Sequence, residues 1–373
     1  MNAPSALKVA VVGACPYPVP QGSQIYLRDS ALALRDLGHE PHLVVYGYGL
    51  GEDLSGLPLH RAAAIAGARK TVAGPSLLKP LLDCALVFTL RRVVREQGID
   101  VVSAHNYEAL AVALASGTRP IVYYAHNALS DELPYYFGGK PWAARLGRWA
   151  DRCFPKRADH IVAPHARLKA HLIECGCDAE RISVIPPTVD VSAFNEADKN
   201  AELPTVLYTG NLDTYQNLNL LFRAIEIAHE TIPTLSLTIA TAARDTSNLP
   251  ETSTQIVRTD EFASLKQALG QDAIFACPRV SWSGYPIKLL NAMAAGLPIV
   301  CCESAAHPLT HDTNGIVVPD NDPEAFAEAL VALAHNPARR AELGHRARET
   351  AAREHSLERI GTHLEDVLRG VRD

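Results

Sequence analysis

The chain has 373 residues, 47% of them hydrophobic and 20% charged, with a formal net charge of −6. That composition excludes a disordered or fibrous chain, and the length fits two domains at roughly 100–200 residues each. No long basic tract marks nucleic acid as a main partner. None of the eight cysteines forms a C-x-x-C pair, which argues against a zinc site. Several lie in apolar runs such as FAC and IVCC, where a free thiol behaves as a small hydrophobe, in keeping with a reducing cytosol.

The N-terminal stretch MNAPSALKVAVVG has too short an apolar run for a signal peptide and leads straight into a strand-like segment. KVAVVGA at 8–14 reads as a buried strand, residues 24–37 as a helix closed by Gly38, and HLVVY at 42–46 as a second strand. That βαβ unit favours a parallel sheet. The run LLKPLLDCALVFTL at 77–90 is broken by Lys79 and Asp83, and a membrane-crossing helix needs about 20 mostly apolar residues, so none is expected.

The same grammar continues with VVSAH at 101–105, a helix at 108–115, IVYYAH at 121–126, HIVAP at 160–164, a helix at 166–175 and RISVIPP at 181–187. After Pro186-Pro187 it restarts: TVLYTG at 205–210, a helix at 218–229, then LSLTIAT, AIFACP, PIVCC and GIVVP as further strands. The tail at 337–373 is charged and helical. The expected fold class is therefore α/β, with two tandem Rossmann-like, doubly wound domains facing a cleft. Residues 1–186 form the first and 187–373 the second, with the C-terminal helix free to pack back on the first.

In open parallel sheets ligands bind outside the carboxyl ends of the strands. This directs attention to Gly22 and Ser23, His105 and Asn106, His126, the 210–217 loop and the stretch RVSWSGYPIKLLNAMAAGLPIV at 279–300. In that stretch a helix opens on Pro286, at the first helical position, and closes on Gly296. Its N-terminus offers unpaired N–H groups, and Arg279 and Lys288 add positive charge, a combination suited to an anion. The same residues also fit a capped core helix with Lys288 in solvent. Gly22-Ser23 stands where a strand hands over to a helix, as a close-approach loop or an ordinary capped turn. His105 and His126 end two strands, where an imidazole can hydrogen-bond a ligand or serve a purely structural role.

Taken together, KVAVVGACPYPVPQGSQ, ALRDLGHEPHLVV, ADHIVAP, VIPPTVDVSAF, YTGNL and above all SGYPIKLLNAMAAGLPIV resemble the family 4 glycosyltransferases of the GT-B fold, over nearly the whole chain. The resemblance implies a retaining hexosyl transfer from a nucleotide-diphosphate sugar, UDP- or GDP-linked, with no cofactor and no metal. It assigns Gly22 and Ser23 to the donor phosphates, His126 to the transferred sugar, and Pro286, Ile287 and Lys288 to the pyrophosphate, with Gly284 and Tyr285 beside them. His105 and Asn106 fall on the acceptor side.

The chain departs from that family at four positions. Ser283 and Asn291 stand eight residues apart where the family carries two glutamates, and Asn211 and Gln216 stand where it carries Arg and Lys. An amide at 291 can still donate to and accept from a diol, without charge. Charged hydrogen bonds are about twice as strong as neutral ones, so Arg279 and Lys288 are expected to take over the phosphates.

The segment ARKTVAGPSLLKPLLDCALVFTLRRVVREQ, 68–97, mixes apolar residues with Arg and Lys. It is expected to present a basic face that docks on an anionic membrane, or to be a core helix with basic ends. The resulting expectation is a cytoplasmic enzyme, working at the inner face of the membrane on a lipid or lipid-linked glycan acceptor. A nucleotide-sugar epimerase on the same fold and a non-catalytic nucleotide-sugar-binding or assembly protein are the alternatives. The first needs a carboxylate pair that the sequence does not offer convincingly, and the second is motivated by the four neutral positions.

Overall fold

The computed structural model describes residues 5–19, 21–50, 52–53, 55–71, 74, 76–196, 203–247, 249–250, 254–259 and 261–373. The chain divides into two compact units. The first comprises residues 1–188, 283–285 and 357–373, and the second residues 189–282 and 286–356.

The first unit is built on β1 (Lys8–Gly13), α1 (Gly22–Asp36), β2 (Glu40–Val45), β3 (Leu59–Arg61), α2 (Lys79–Gln97), β4 (Val101–His105), α3 (Asn106–Ser116), β5 (Ile121–Tyr124), α4 (Leu129–Tyr136), α5 (Pro141–Cys153), β6 (His160–Ala163), α6 (Ala166–Glu174) and β7 (Ile182–Val184). Its seven strands lie in the order β3-β2-β1-β4-β5-β6-β7, and the pairs are parallel, with β1 between β2 and β4. Strands buried on both faces must be apolar throughout; VVSAH and IVYY are buried at every position. The short β3 lies at the sheet edge and is only half buried, so LHR carries no apolar run to announce it.

The second unit holds β8 (Thr205–Thr209), α7 (Leu218–Ala228), β9 (Leu237–Thr241), β10 (Thr254–Arg258), α8 (Phe262–Leu269), β11 (Ala273–Cys277), α9 (Ile287–Ala294), β12 (Ile299–Cys302), β13 (Ile316–Val318), α10 (Pro323–Ala334) and α11 (Pro337–Glu354). Its six-stranded parallel sheet has the order β10-β9-β8-β11-β12-β13. Again the strand without a sequence signal is an edge strand: β10, TQIVR, has no fully buried position. One core cluster packs α7 and α10 on this sheet, with Leu221, Ile239, Ile274 and Phe326 at its centre.

The last helix, α12 (Leu357–Arg372), belongs to the first unit. Ile360, Leu364 and Leu368, at helical spacing, join the core formed by Leu27, Leu34 and Val11. A side chain at Gly361 would press on the Ala33 carbonyl, with its Cβ 2.9 Å away, so glycine there lets α12 lie directly on α1.

Two expectations are corrected locally. Pro286 is the N-cap of α9, with φ −80° and ψ 92°, and the first helical residue is Ile287. Pro286 therefore keeps extended geometry and turns the chain into the helix. The 68–97 segment, of which residues 72, 73 and 75 lie outside the described residues, does not present a uniformly basic face. In α2, Leu82, Leu86, Leu90 and Val93 are buried. The outward side is apolar at Leu81 and Phe88 and basic only towards Arg91, Arg92 and Arg95. Arg91 is also occupied by the carbonyls of Ala115 and Ser116, and Lys79 by Glu108 at 2.5 Å.

Candidate functional site

In the first unit the carboxyl ends of β4 and β5 bring two imidazoles together. His105 ends β4 and His126 follows β5 by two residues. Their Nδ1 and Nε2 atoms are 3.1 Å apart, and both rings are buried. Tyr26 of α1 lies 4.8 Å from the His126 ring and 5.8 Å from the His105 ring, centroid to centroid. Tyr124 stacks on His105 at 4.2 Å.

Burial in this aromatic wall penalises the imidazolium. It lowers the pKa of His126 to about 3. It also holds His105 well below the ordinary value of 6.5, with the neighbouring His126 adding to the effect. Both rings are neutral near pH 7, so the pair works by hydrogen bonding and not as a charge. Tyr26 and Tyr124 were not singled out in the sequence. Their only signal there is that each occupies a position in an element next to a candidate histidine.

Asn106 opens α3 in the left-handed region, φ 76°, and its Oδ1 accepts from the Tyr107 N–H at 2.8 Å. Its amide therefore serves the turn that follows His105. Gly22 and Ser23 form the exposed first residues of α1, so their backbone N–H groups point out of the helix start.

The residues Ser283, Gly284 and Tyr285 also cluster with the first unit. Ser283 is buried. Its N–H and Oγ both donate to Asp131 Oδ2, at 3.1 and 2.7 Å. Its carbonyl faces His165 Nε2 at 3.0 Å. His165 caps α6 by accepting the Leu168 N–H on Nδ1, so Nε2 carries the proton and donates to Ser283. Where the family resemblance leads one to expect a glutamate, the chain has Ser283, and a carboxylate, that of Asp131, sits on its side chain. Nothing in the local sequence around Ser283 shows it, because the two residues are 152 positions apart.

The second unit gathers the other candidates at the ends of β8 and β11 and the start of α9. Lys288 Nζ donates to Gln216 Oε1 at 2.6 Å and to Tyr208 Oη at 3.0 Å. Gln216 Nε2 donates to Asn211 Oδ1 at 2.7 Å. Asn211 Nδ2 donates in turn to Tyr215 Oη at 2.8 Å and Asp213 Oδ2 at 2.9 Å. Tyr208 Oη donates to the Asn211 carbonyl at 2.5 Å. The Arg279 guanidinium lies 5.2 Å from the Tyr215 ring centroid and bonds the Ser281 carbonyl and hydroxyl at 3.2 Å.

Asn211, Gln216, Arg279 and Lys288 thus form one network, completed by Tyr208 and Tyr215. Both tyrosines lie in YTGNLDTYQNL, whose other polar residues had been singled out. Gly210, at φ 125°, faces the Lys288 ammonium; an added Cβ there would lie 3.5 Å from Nζ. Only glycine takes this backbone conformation without strain.

Every partner of Lys288 in this network is neutral. Among the described residues neither Lys288 nor Arg279 forms an ion pair. Burial brings the Lys288 ammonium down to about 8, with the nearby Arg279 pushing the same way. Two cations without carboxylates, next to the free N–H groups of a helix start, leave a positive site that an anion would complete. Asn291, one turn further along α9, is half-exposed, and its side-chain amide has no hydrogen-bond partner among the described residues.

Among the described residues one group has metal-ligand geometry: Asp151, His171 and Cys175. Asp151 already accepts from Tyr107 Oη, Leu129 N, Ser130 Oγ and His171 Nε2, at 2.6 to 3.0 Å. Its lone pairs hold α3, α4, α5 and α6 together, so the group reads as structural. No helix among the described residues is long and apolar enough to cross a membrane.

Comparison with known proteins gives a consistent picture. Residues 20–193 match the family model described as Glycosyltransferase Family 4, and residues 203–336 match the one described as Glycosyl transferases group 1. A D-inositol 3-phosphate glycosyltransferase of Corynebacterium kroppenstedtii is 24% identical, over 96% of this chain and 89% of its own length. A phosphatidyl-myo-inositol mannosyltransferase of Mycobacterium leprae is 25% identical, over 86% of each chain. The structure of sucrose-phosphate synthase from Thermosynechococcus elongatus superposes with a TM-score of 0.81 at 16% identity, over 98% of each chain. That of Anabaena Alr3699/HepE in complex with UDP and glucose gives 0.76 at 17% identity, over 98% of this chain and 100% of that one.

Proposed function

Because the chain belongs to the family 4-like glycosyltransferases of the GT-B fold, we propose that it moves a hexose from a nucleotide-diphosphate sugar to an acceptor hydroxyl with retention of configuration. The observation that carries this reading is the Lys288 network. A cation held by Gln216 and Tyr208 and facing Gly210, with Arg279 nearby and the start of α9 behind it, suits a diphosphate. Arg279, Lys288 and the N–H groups of Ile287 and Lys288 would neutralise the charge that grows on the leaving phosphate as the sugar–oxygen bond breaks. Preorganised electrostatics of this kind is the largest part of many rate enhancements.

The acceptor oxygen bonds to the anomeric carbon on the face the diphosphate leaves, and its proton passes to the departing phosphate oxygen. No metal enters this scheme, since protein cations meet the diphosphate. Asn291, with an open amide, is assigned to the ribose hydroxyls, and Asn211 and Gln216 hold Lys288 in place. His126 is assigned to the transferred sugar as a neutral hydrogen-bonding group, and His105 with Asn106 to the acceptor side. Gly22, Ser23, Ser283, Gly284 and Tyr285 complete the assignment on the donor side.

The acceptor is read as a lipid or lipid-linked glycan, reached from the cytoplasmic face of a membrane. One relative supports a lipid by its name, which carries phosphatidyl-myo-inositol; the name of another carries the soluble headgroup alone, an inositol phosphate, and UDP accompanies a structural neighbour. The test is thermal shift against UDP-, GDP-, ADP- and TDP-sugars, with wild type beside Lys288→Ala and Asn291→Ala. A donor at 100 times its dissociation constant stabilises a fold by about 2.7 kcal/mol. A selective shift, weakened in both variants, is the expected result. No shift with any nucleotide sugar would end this reading. Donor binding without transfer to any acceptor would favour a nucleotide-sugar-binding protein, which the neutral residues at 211, 216, 283 and 291 would then explain.

A further inference from the structure

Helix α5, PWAARLGRWADRC, is amphipathic in an inverted sense. It buries its small residues, Ala143, Gly147 and Ala150, at i, i+4 and i+7. It exposes its large apolar ones at the same spacing: Trp142 is 46% exposed, Leu146 47% and Trp149 56%. The inward side is set by close packing on α4. A Cβ on Gly147 would stand 2.4 Å from the Leu129 carbonyl oxygen, so this face has no room for a large residue. The outward Trp-Leu-Trp row is therefore not needed for the core of the unit.

The row is unusual in this chain. Aromatic residues make up only 6% of it, and there are three tryptophans in all; two of them stand on this one exposed stripe. Phe137 and Phe154 flank it, with ring centroids 4.7 Å from Trp142 and 5.9 Å from Trp149.

Beside the apolar row runs a basic one. Arg145, Arg148 and Arg152 follow at i, i+3 and i+7 and are exposed, as are Lys140, Lys156 and Arg157 around them. The only acidic residue between 140 and 157, Asp151, is fully buried. Among the described residues Arg145, Arg148 and Arg152 have no acidic partner. A locally all-cationic surface on a chain of net charge −6 is complementary to an anionic partner. Tryptophans and a leucine alongside arginines on a helix lying in the surface plane match a bilayer interface.

We propose that α5 is the surface by which the chain docks on an anionic lipid bilayer, with Trp142, Leu146 and Trp149 seated at the headgroup boundary and the three arginines on the lipid phosphates. The proposal rests on the lipid-acceptor reading for its purpose and moves the docking surface from α2, whose arginines are partly engaged, to α5. Because donor binding and vesicle binding are separate measurements, either can fail without the other.

The experiment uses the full chain and flotation with phosphatidylcholine vesicles, with and without phosphatidylglycerol. A Trp282→Phe background leaves Trp142 and Trp149 as the only indole reporters. Binding to the anionic vesicles with a blue shift of tryptophan emission is expected, and weaker binding as salt rises. Replacing Trp142, Leu146 and Trp149 together by Ser should abolish binding, read by flotation alone because this variant keeps no tryptophan in that background. Replacing Arg145, Arg148 and Arg152 by Gln should weaken binding by about two orders of magnitude. All these positions are exposed, so an unchanged thermal melt and an unchanged nucleotide-sugar shift in both variants will show an intact fold. No binding to anionic vesicles overturns the proposal. So does binding that survives both sets of substitutions, emission that stays unchanged on binding, or self-association that the Ser variant abolishes, which would make α5 a contact between copies.

Discussion

The polar centres of the two units solve opposite problems. In the first, His105 and His126 are buried against Tyr26 and Tyr124, and burial keeps both rings neutral. In the second, Lys288 and Arg279 keep their charge available, held by amides, a hydroxyl and an aromatic face and not by carboxylates. A buried titratable group is silenced when its neighbours are apolar, because nothing repays its desolvation. A cation is kept available when its neighbours are neutral acceptors, because they orient it without cancelling its charge. The first arrangement suits recognition of a neutral polyol and the second recognition of an anion.

The largest expected effect tests the charged side. Lys288→Ala should lower transferase activity by about 10²–10³-fold, the usual loss when one preorganised donor to a developing anion is removed. Steady-state kinetics with the donor found in the thermal-shift screen will measure it. Activity within a factor of a few of wild type would take Lys288 out of the phosphate site.

The neutral side is tested by His126→Ala, which should reduce kcat by about tenfold to a hundredfold while leaving the nucleotide affinity nearly unchanged, as expected for one lost hydrogen bond made by a buried group. Measuring nucleoside diphosphate binding beside turnover separates the two. Loss of nucleotide affinity in this variant would contradict the division of labour.

Next come two pH effects. The folded pKa of His126 lies near 3, below its ordinary 6.5. Between those values the unfolded chain takes up a proton that the folded chain refuses, so stability falls as pH falls through that window. The slope is about 1.4 kcal/mol per pH unit for this residue, read from urea unfolding at stepped pH, and His126→Gln should flatten it. On the alkaline side, Lys288 loses its proton near pH 8, so donor affinity should decline above that pH in wild type and hold in Lys288→Arg. A donor affinity independent of pH up to about 9 would show that the ammonium is not what the diphosphate meets.

The smallest effect concerns the aromatic support. Tyr215→Phe removes the hydroxyl that accepts from Asn211 but keeps the ring beside Arg279, so donor affinity should drop less than tenfold, the scale of one neutral hydrogen bond. Tyr215→Ala should cost more, since the ring also positions the guanidinium.

Much of this was legible in the sequence. The alternation of apolar runs and amphipathic stretches indicated two parallel-sheet α/β units, because a strand covered on both faces has to be apolar throughout. The edge strands β3 and β10 escaped, since half-exposed strands lack that constraint. VVSAH and IVYYAH placed His105 and His126 at the ends of neighbouring strands, because strands in register put their carboxyl ends side by side. That Ser283 and Asn291 stand where two acidic residues are expected follows only from the family resemblance, since their spacing carries no such signal by itself.

Other features depended on the tertiary structure. Asp131 lies 152 positions from the Ser283 it receives, and no local pattern links residues that far apart. The neutrality of the histidine pair is a property of burial, and burial follows from where α1 lays Tyr26. The facing of helix α5 could not be read from the sequence, because its outward face carries the large apolar residues that periodicity assigns to a core. Periodicity tells which residues share a face of a helix. Which face turns inward is decided by the neighbour, here the backbone of α4 pressing on Gly147, and that neighbour exists only in the folded chain.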